Sequence, residues 1–298
     1  MIEIRNLLLV LAGVSVFCLI YTNIVLYRKA PDPIESQISV FENPEKSRII
    51  AFGDLHGDYS ALRTILKFTA WDPKDILVQT GDTIGKGDDT KKILNFFIEH
   101  KGKNIIHIMG NHEHMNLNEN YQFVTDADIN SFGGEENRKN LFQKDQIYGI
   151  YLSSLKICEK IGDVIFVHGG ISKAIAEQYG SFEKIQNGLI EDPANNKDLA
   201  GNNGPMWYRE YAKGPENKIC GDLERTLDIL GAEFMVMGHT TFKKITSKCN
   251  NKAIFIDTGN SRAVRGVRSA LEIQQIKGET VSIRAVYDDS TEVIYQSN

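Results

Sequence analysis

The chain repeats one rhythm through its first half: a short apolar run, a polar knot containing Gly, then apolar residues at helical spacing. Residues 47–52 form the first apolar run, followed at once by Gly53-Asp54-Leu55-His56-Gly57-Asp58. Ala61, Leu62, Ile65 and Leu66 then recur three to four positions apart, which predicts a helix over residues 59–69. A second strand is predicted over 76–78, running on to Gly81-Asp82, and a second helix around Ile93, Leu94, Phe96, Phe97 and Ile98. The third strand, 105–109, runs into Gly110-Asn111-His112-Glu113-His114. Strand–loop–helix units in this order predict a parallel sheet with helices packed against it.

The rhythm is lost over residues 116–140, where polar residues and Gly133-Gly134 predict loops and short helices roofing the strand ends. Residues 141–158 read as largely helical, with an interruption at Tyr148-Gly149-Ile150-Tyr151. A strand over 164–167 ends in His168-Gly169-Gly170. After a polar insertion around 192–204, a helix over 223–230 leads to a strand over 234–237 ending in Gly238-His239-Thr240. Further strands are predicted over 253–256, 270–276 and 281–287, and their alternation of apolar and polar positions suggests antiparallel pairing. The expected fold is α/β, with a mixed sheet system in one domain spanning residues 47–298.

Residues 1–29 have a different pattern. Leu7 to Leu26 is a 20-residue segment without a charge, the length a helix needs to cross a bilayer, so a membrane anchor is expected. The apolar run continues into Tyr27-Arg28-Lys29 with no A-x-A-like site, which argues against a cleaved signal peptide. Residues 30–46, with three prolines among scattered acids, read as a tether. Arg28 and Lys29 behind the span favour a single-pass protein with a cytoplasmic catalytic domain. Cys18 lies in the span, leaving Cys158, Cys220 and Cys249. This odd set at unrelated spacings reads as neither a disulfide framework nor a zinc site, and agrees with the cytoplasmic side. The net charge of -5 over 298 residues argues against a nucleic-acid partner.

Chemistry concentrates where strands end. Asp54 with His56, Asp82, Asn111 with His112, His168 and His239 come after five separate strands. One such histidine alone is ordinarily a satisfied core or surface residue. Five strand ends carrying hard oxygens and imidazoles, with no thiolate, suit two ions of Mn, Fe or Zn.

In order and spacing these motifs resemble the calcineurin-like binuclear metallophosphoesterases, in their phosphoprotein phosphatase branch. The matching segments are G-D-x-H-G at 53–57, G-D-x-x-x-x-G at 81–87, G-N-H-E at 110–113, H-G-G at 168–170 and G-H-T at 238–240. Asp58, Met115-Asn116-Leu117, Gly204-Pro205-Met206-Trp207-Tyr208-Arg209 and Ile256-Asp257-Thr258-Gly259 are similar to Shewanella-like phosphatases in particular. The resemblance covers residues 48–276 and implies a sandwich of two mixed β-sheets flanked by helices. It also implies two divalent or trivalent metal ions. Asp54, His56 and Asp82 would hold the first, and Asp82, Asn111, His168 and His239 the second. A metal-bridging hydroxide would attack phosphorus directly, with His112 as general acid. Arg209 would clamp the phosphate, with Lys86 and Asn111 beside it. The implied activity is hydrolysis of phosphomonoesters on phosphoproteins, Ser/Thr or Tyr. The alternatives are a hydrolase of nucleotide polyphosphates or polyphosphate, and a membrane-tethered binding protein with a degenerate site.

One motif departs from the family. The second usually reads G-D-x-x-D-R-G, whereas this chain has Gly85-Lys86 in place of Asp-Arg. The carboxylate expected to orient His112 is missing, with Asp88 or Asp89 as candidate substitutes. Lys86 replaces a planar fork by a point charge on a flexible stem. His114 is either a second proton donor or a plain polar side chain. The departure implies slower turnover or a shifted substrate preference.

Overall fold

The computed structural model describes residues 45–192 and 195–297. The expected anchor (1–29) and all of the tether (30–46) but its last two residues lie outside them. No described helix is long and apolar enough to cross a membrane.

The first half keeps to the predicted rhythm: β1 (Lys46–Phe52), α1 (Tyr59–Phe68), β2 (Ile76–Gln79), α2 (Thr90–Glu99), β3 (Ile105–His107) and α3 (Asn111–Leu117). The roofing segment holds α4 (Asp126–Ser131), α5 (Glu135–Leu141) and α6 (Ile147–Ser153). Then come β4 (Cys158–Ile161), β5 (Val164–Val167), α7 (Lys173–Tyr179), α8 (Phe182–Glu191), α9 (Lys197–Ala200), α10 (Glu210–Lys213) and α11 (Glu216–Leu230). The chain closes with β6 (Phe234–Met237), β7 (Thr246–Lys248), β8 (Ala253–Phe255), β9 (Ser269–Ile276), β10 (Glu279–Tyr287) and β11 (Thr291–Gln296).

Two mixed sheets result. One has the order β11-β10-β9-β1-β2-β3 and the other β4-β5-β6-β8-β7. In the first, β1, β2 and β3 run parallel, and the predicted antiparallel alternation of β9 and β10 closes onto β1. In the second, β5, β6 and β8 are parallel, with β4 and β7 antiparallel at the edges. Phe52, Phe166 and Phe255 are fully buried, each contributing about 1.5–3 kcal/mol of apolar burial. The loops that leave the parallel strands meet across the sheets: the His168 ring, just past β5, reaches the Thr80 carbonyl just past β2.

Four local expectations are corrected. Tyr148 to Tyr151 do not interrupt a helix but form the body of α6, and Gly149 is needed because the Gln143 carbonyl occupies the place where a Cβ would stand. The end of the presumed helix is strand β4, whose half-buried Glu159 and Lys160 gave it no apolar run. β3 stops at His107, and Ile108 keeps only a single bridge, to Lys156. The cysteine reading also fails: Cys220 in α11 and Cys249 after β7 form a disulfide, with Cα atoms 5.2 Å apart, leaving buried Cys158 as the free thiol among the described residues.

Candidate metal centre

Asp54, His56, Asp82, Asn111, His112, His168 and His239 are all buried and converge on one point. Asp82 is its hub. One carboxylate oxygen lies 3.6 Å from His112 Nε2 and 4.0 Å from His56 Nε2. The other lies 3.3 Å from His168 Nε2 and accepts the His112 backbone N–H at 2.9 Å. Asp54 stands 3.6 Å from His56 Nε2 and accepts the His239 backbone N–H at 3.1 Å. Asn111 Oδ1 lies 3.0 Å from His168 Nε2. Ligand atoms of His56, Asp82 and His112 lie within 4.8 Å of one another, as do those of Asp82, His168 and His239.

The backbone is bent to produce this. His56, Asp82 and His239 have φ of 43°, 56° and 65°, left-handed values that cost a non-glycine residue roughly 1 kcal/mol or more. Glu113 holds the most demanding bend. Its carboxylate accepts N–H bonds from Asp82, Thr83, Ile84 and Gly110 and the Thr83 hydroxyl, at 2.8–3.3 Å. Glu113 is the third residue of α3; burial and the neighbouring Asp82 charge raise its carboxyl, and the bonds from Thr83 and Asp82 work against that rise.

The rings are committed through one nitrogen each. His168 Nδ1 donates to the Thr80 carbonyl at 2.7 Å, and His56 Nδ1 lies 3.4 Å from the Ile84 carbonyl. This fixes Nε2 of both toward the centre, the arrangement a metal-binding imidazole requires. His239 Nε2 is buried with no hydrogen-bond partner. The buried set as a whole, two carboxylates, an amide oxygen and imidazoles, is one a borderline cation takes, so the residues fit metal ions.

Electrostatics agree. Burial pushes the His56 imidazole down to about 3 and that of His239 to about 2, so both stay neutral, the form a metal ligand needs. His168 is also opposed by burial, but Asp82 and Asp54 beside it and its bond to Thr80 raise it to about 9. Burial raises the Asp54 carboxyl, and the neighbouring charges of Asp257 and Asp82 add to this. Burial works against the Asp82 charge too, yet the imidazoles of His112, His168 and His56 hold its carboxyl well below the usual range. The two buried carboxyls are thus driven in opposite directions, Asp54 up and Asp82 down.

The family model for calcineurin-like phosphoesterases matches residues 47–241. The chain belongs to this family. Shewanella-like protein phosphatase 1 of Plasmodium berghei is 29% identical over 283 residues, covering 81% of this chain and 75% of that protein. Shewanella-like protein phosphatase 2 of Arabidopsis thaliana is 29% identical over 308 residues, covering 80% and 77%. Among solved structures, a cold-active protein-tyrosine phosphatase of a psychrophilic Shewanella shares the fold. Its TM-score is 0.71 at 24% identity, covering 84% of this chain and 80% of that one.

Within this phosphoesterase, the expected substrate residues have mixed placements. Lys86 Nζ comes within 3.0 Å of His56 Nε2, so its stem reaches the centre. Arg209 spends one nitrogen on structure: Nη1 donates to the His239 carbonyl and the Thr240 hydroxyl, both at 2.9 Å, while Nη2 lies 3.4 Å from His239 Nδ1. Neither Asp88 nor Asp89 substitutes for the missing carboxylate, since both pair with Arg262, and Asp89 with Lys92 at 2.6 Å. His114 makes its side-chain contact with Asn118, at 3.2 Å, and takes no part in the cluster. Sequence reasoning missed Glu113, whose only signal was its place three residues into a helix start. It also left Asp257 without a role. That carboxylate accepts from the Thr241 hydroxyl at 2.6 Å and the Gly259 N–H at 2.9 Å, bracing the turn that carries His239.

Proposed function

We propose that this chain is a two-metal phosphomonoesterase acting on phosphoproteins. The observation that carries the reading is the single carboxylate of Asp82 shared between two donor groups, His56 with His112 and His168 with His239. Asp54, His56 and Asp82 would hold one ion, and Asp82, Asn111, His168 and His239 the other. Mn, Fe or Zn bound there supplies charge that neutralises phosphate oxygens and lowers the pKa of water toward neutrality. His112 stands beside Asp82 with neither ring nitrogen hydrogen-bonded among the described residues, which suits a group that hands a proton to the leaving oxygen. Lys86, beside His56, and Arg209, beside His239, would hold the outer phosphate oxygens. The protein phosphatases among its relatives support a phosphoprotein substrate.

The test is a competition. Metal-loaded protein is assayed on phosphotyrosine, phosphoserine and phosphothreonine peptides, diadenosine tetraphosphate and polyphosphate, with Asp82→Asn as control. Phosphopeptide turnover lost in the control is expected. Cleavage of only the last two substrates would replace the reading with a nucleotide or polyphosphate hydrolase.

The compartment belongs to the same proposal. Arg28-Lys29 favour the cytoplasmic side, but the Cys220–Cys249 pair removes the cysteine argument for it. Such bonds persist in oxidising compartments, so we infer a catalytic domain on the non-cytoplasmic side of its membrane. Protease added to sealed vesicles with the cytoplasmic face outward should spare the domain; digestion would sink this topology.

A further inference from the structure

The carboxylate missing behind His112 has no room to return. Gly85 has φ +116°, and a Cβ built there would lie 2.7 Å from His112 Nδ1. The Nδ1 edge of the His112 ring therefore lies against Gly85, in the space a side chain there would need. One face of the ring is covered by Phe123, whose ring stacks on it at 5.2 Å between centroids and 23° between planes. His56 flanks His112 at 4.7 Å, tilted by 57°. Phe123 comes from the roofing segment, where sequence alone showed only loss of pattern. It is 40% exposed, unusual for so large an apolar side chain.

That segment is stitched to the very stretch that departs from the motif. The Thr125 N–H donates to the Gly85 carbonyl and the Thr125 hydroxyl to the Lys86 carbonyl, each at 3.2 Å. Its far side is pinned by the buried Arg138–Asp128 pair at 2.7 Å, with the guanidinium 4.4 Å over the Phe142 ring. The ring is thus carried by a braced loop rather than a free one.

We propose that Phe123 is the positioning residue for His112, holding the acid's ring by stacking where a carboxylate would hold it by a hydrogen bond. The proposal rests on His112 being the general acid in the function above. Stacking fixes the plane of the ring while leaving both nitrogens uncommitted. Gly85 is the counterpart that leaves room for the Nδ1 edge of the ring.

A proton donor matters most when the leaving group is a poor one, and this separates positioning from mere folding. The metal-loaded full chain, Phe123→Ala and Phe123→Tyr are compared on dinitrophenyl phosphate and on a phosphoserine peptide. Thermal melting and metal content are measured in parallel. In Phe123→Ala, kcat on the peptide should fall about 10- to 100-fold, part of what a general acid contributes. On dinitrophenyl phosphate kcat should stay within about threefold, the lost proton mattering little to a good leaving group. Phe123→Tyr, which keeps the ring, should restore the peptide rate. Equal losses on both substrates, or none on either, overturn the proposal. His112→Asn separates the layers. If wild type turns over phosphomonoesters and His112→Asn shows the leaving-group split while Phe123→Ala does not, only the role of Phe123 is lost. If wild type is inactive on both substrates, the function itself fails.

Discussion

Two histidines flank Asp82 and are held in opposite ways. His168 is fully buried, with Nδ1 committed to the Thr80 carbonyl and Nε2 facing Asp82 and Asn111. His112 has its backbone N–H on Asp82, but its ring has its Nδ1 edge against Gly85 and one face on Phe123. A ring tied through one nitrogen presents a single lone pair in a fixed direction, as a metal ligand must. The His112 ring, stacked on Phe123 with its Nδ1 edge against Gly85, keeps both nitrogens free of hydrogen bonds among the described residues. The contrast supports the roles proposed for the two where distance does not separate them, because His112 Nε2 lies almost as close to Asp82 as His168 Nε2 does, 3.6 Å against 3.3 Å.

The sharpest way to break the contrast is to exchange the outcomes. His168→Asn should lose metal and activity together. His112→Asn should keep its metal while peptide turnover falls about 100- to 10,000-fold, the range of a general acid. Both are read by metal analysis alongside initial rates. Loss of metal from His112→Asn would make it a ligand.

Gly85→Asp is next. It restores the family's usual residue, yet the side chain would enter at a left-handed φ and against His112. It should lower turnover rather than raise it and destabilise by about 1–3 kcal/mol, read by denaturant melts. A gain in activity would show that His112 wants the carboxylate after all.

The disulfide tests the frame behind the His168 side. It closes a 29-residue separation between α11 and the strand pair β7–β8. Replacing both cysteines by Ser should cost about 3–4 kcal/mol of stability by loop-closure entropy, with activity per folded molecule unchanged. Parallel loss of activity at full stability would place the bond in the site.

The effect furthest from the chemistry concerns a histidine outside the centre. His107 is buried between Phe97, the Tyr151 hydroxyl and Thr83, and burial pushes it down to about 3. The unfolded chain takes up its proton first as pH falls. Stability is therefore intact above the ordinary value near 6.5 and is lost between there and about 3, with a slope of up to about 1.4 kcal/mol per pH unit. His107→Gln should flatten that slope in urea melts at successive pH values.

The residues legible in the sequence are those at the ends of buried strands. Asp54, Asp82, Asn111, His168 and His239 stood out because each comes just after an apolar run, and parallel strands bring their carboxyl ends to one crevice. The residues that stayed hidden depend on distant segments meeting. Glu113 looks like one more acid until the turn at Asp82 folds over it. Phe123 lies 11 positions beyond His112 in a stretch without periodicity, so nothing local marked it. Cys220 and Cys249 are joined only because α11 packs beside the second sheet. β7 and β11 were missed because neither has a buried position to create alternation.

The most direct test of the account is a metal count on three purified proteins. Wild type should hold two ions per chain, Asp82→Asn fewer, and His112→Asn two. One ion or none in wild type, or an ion lost from His112→Asn, would contradict it.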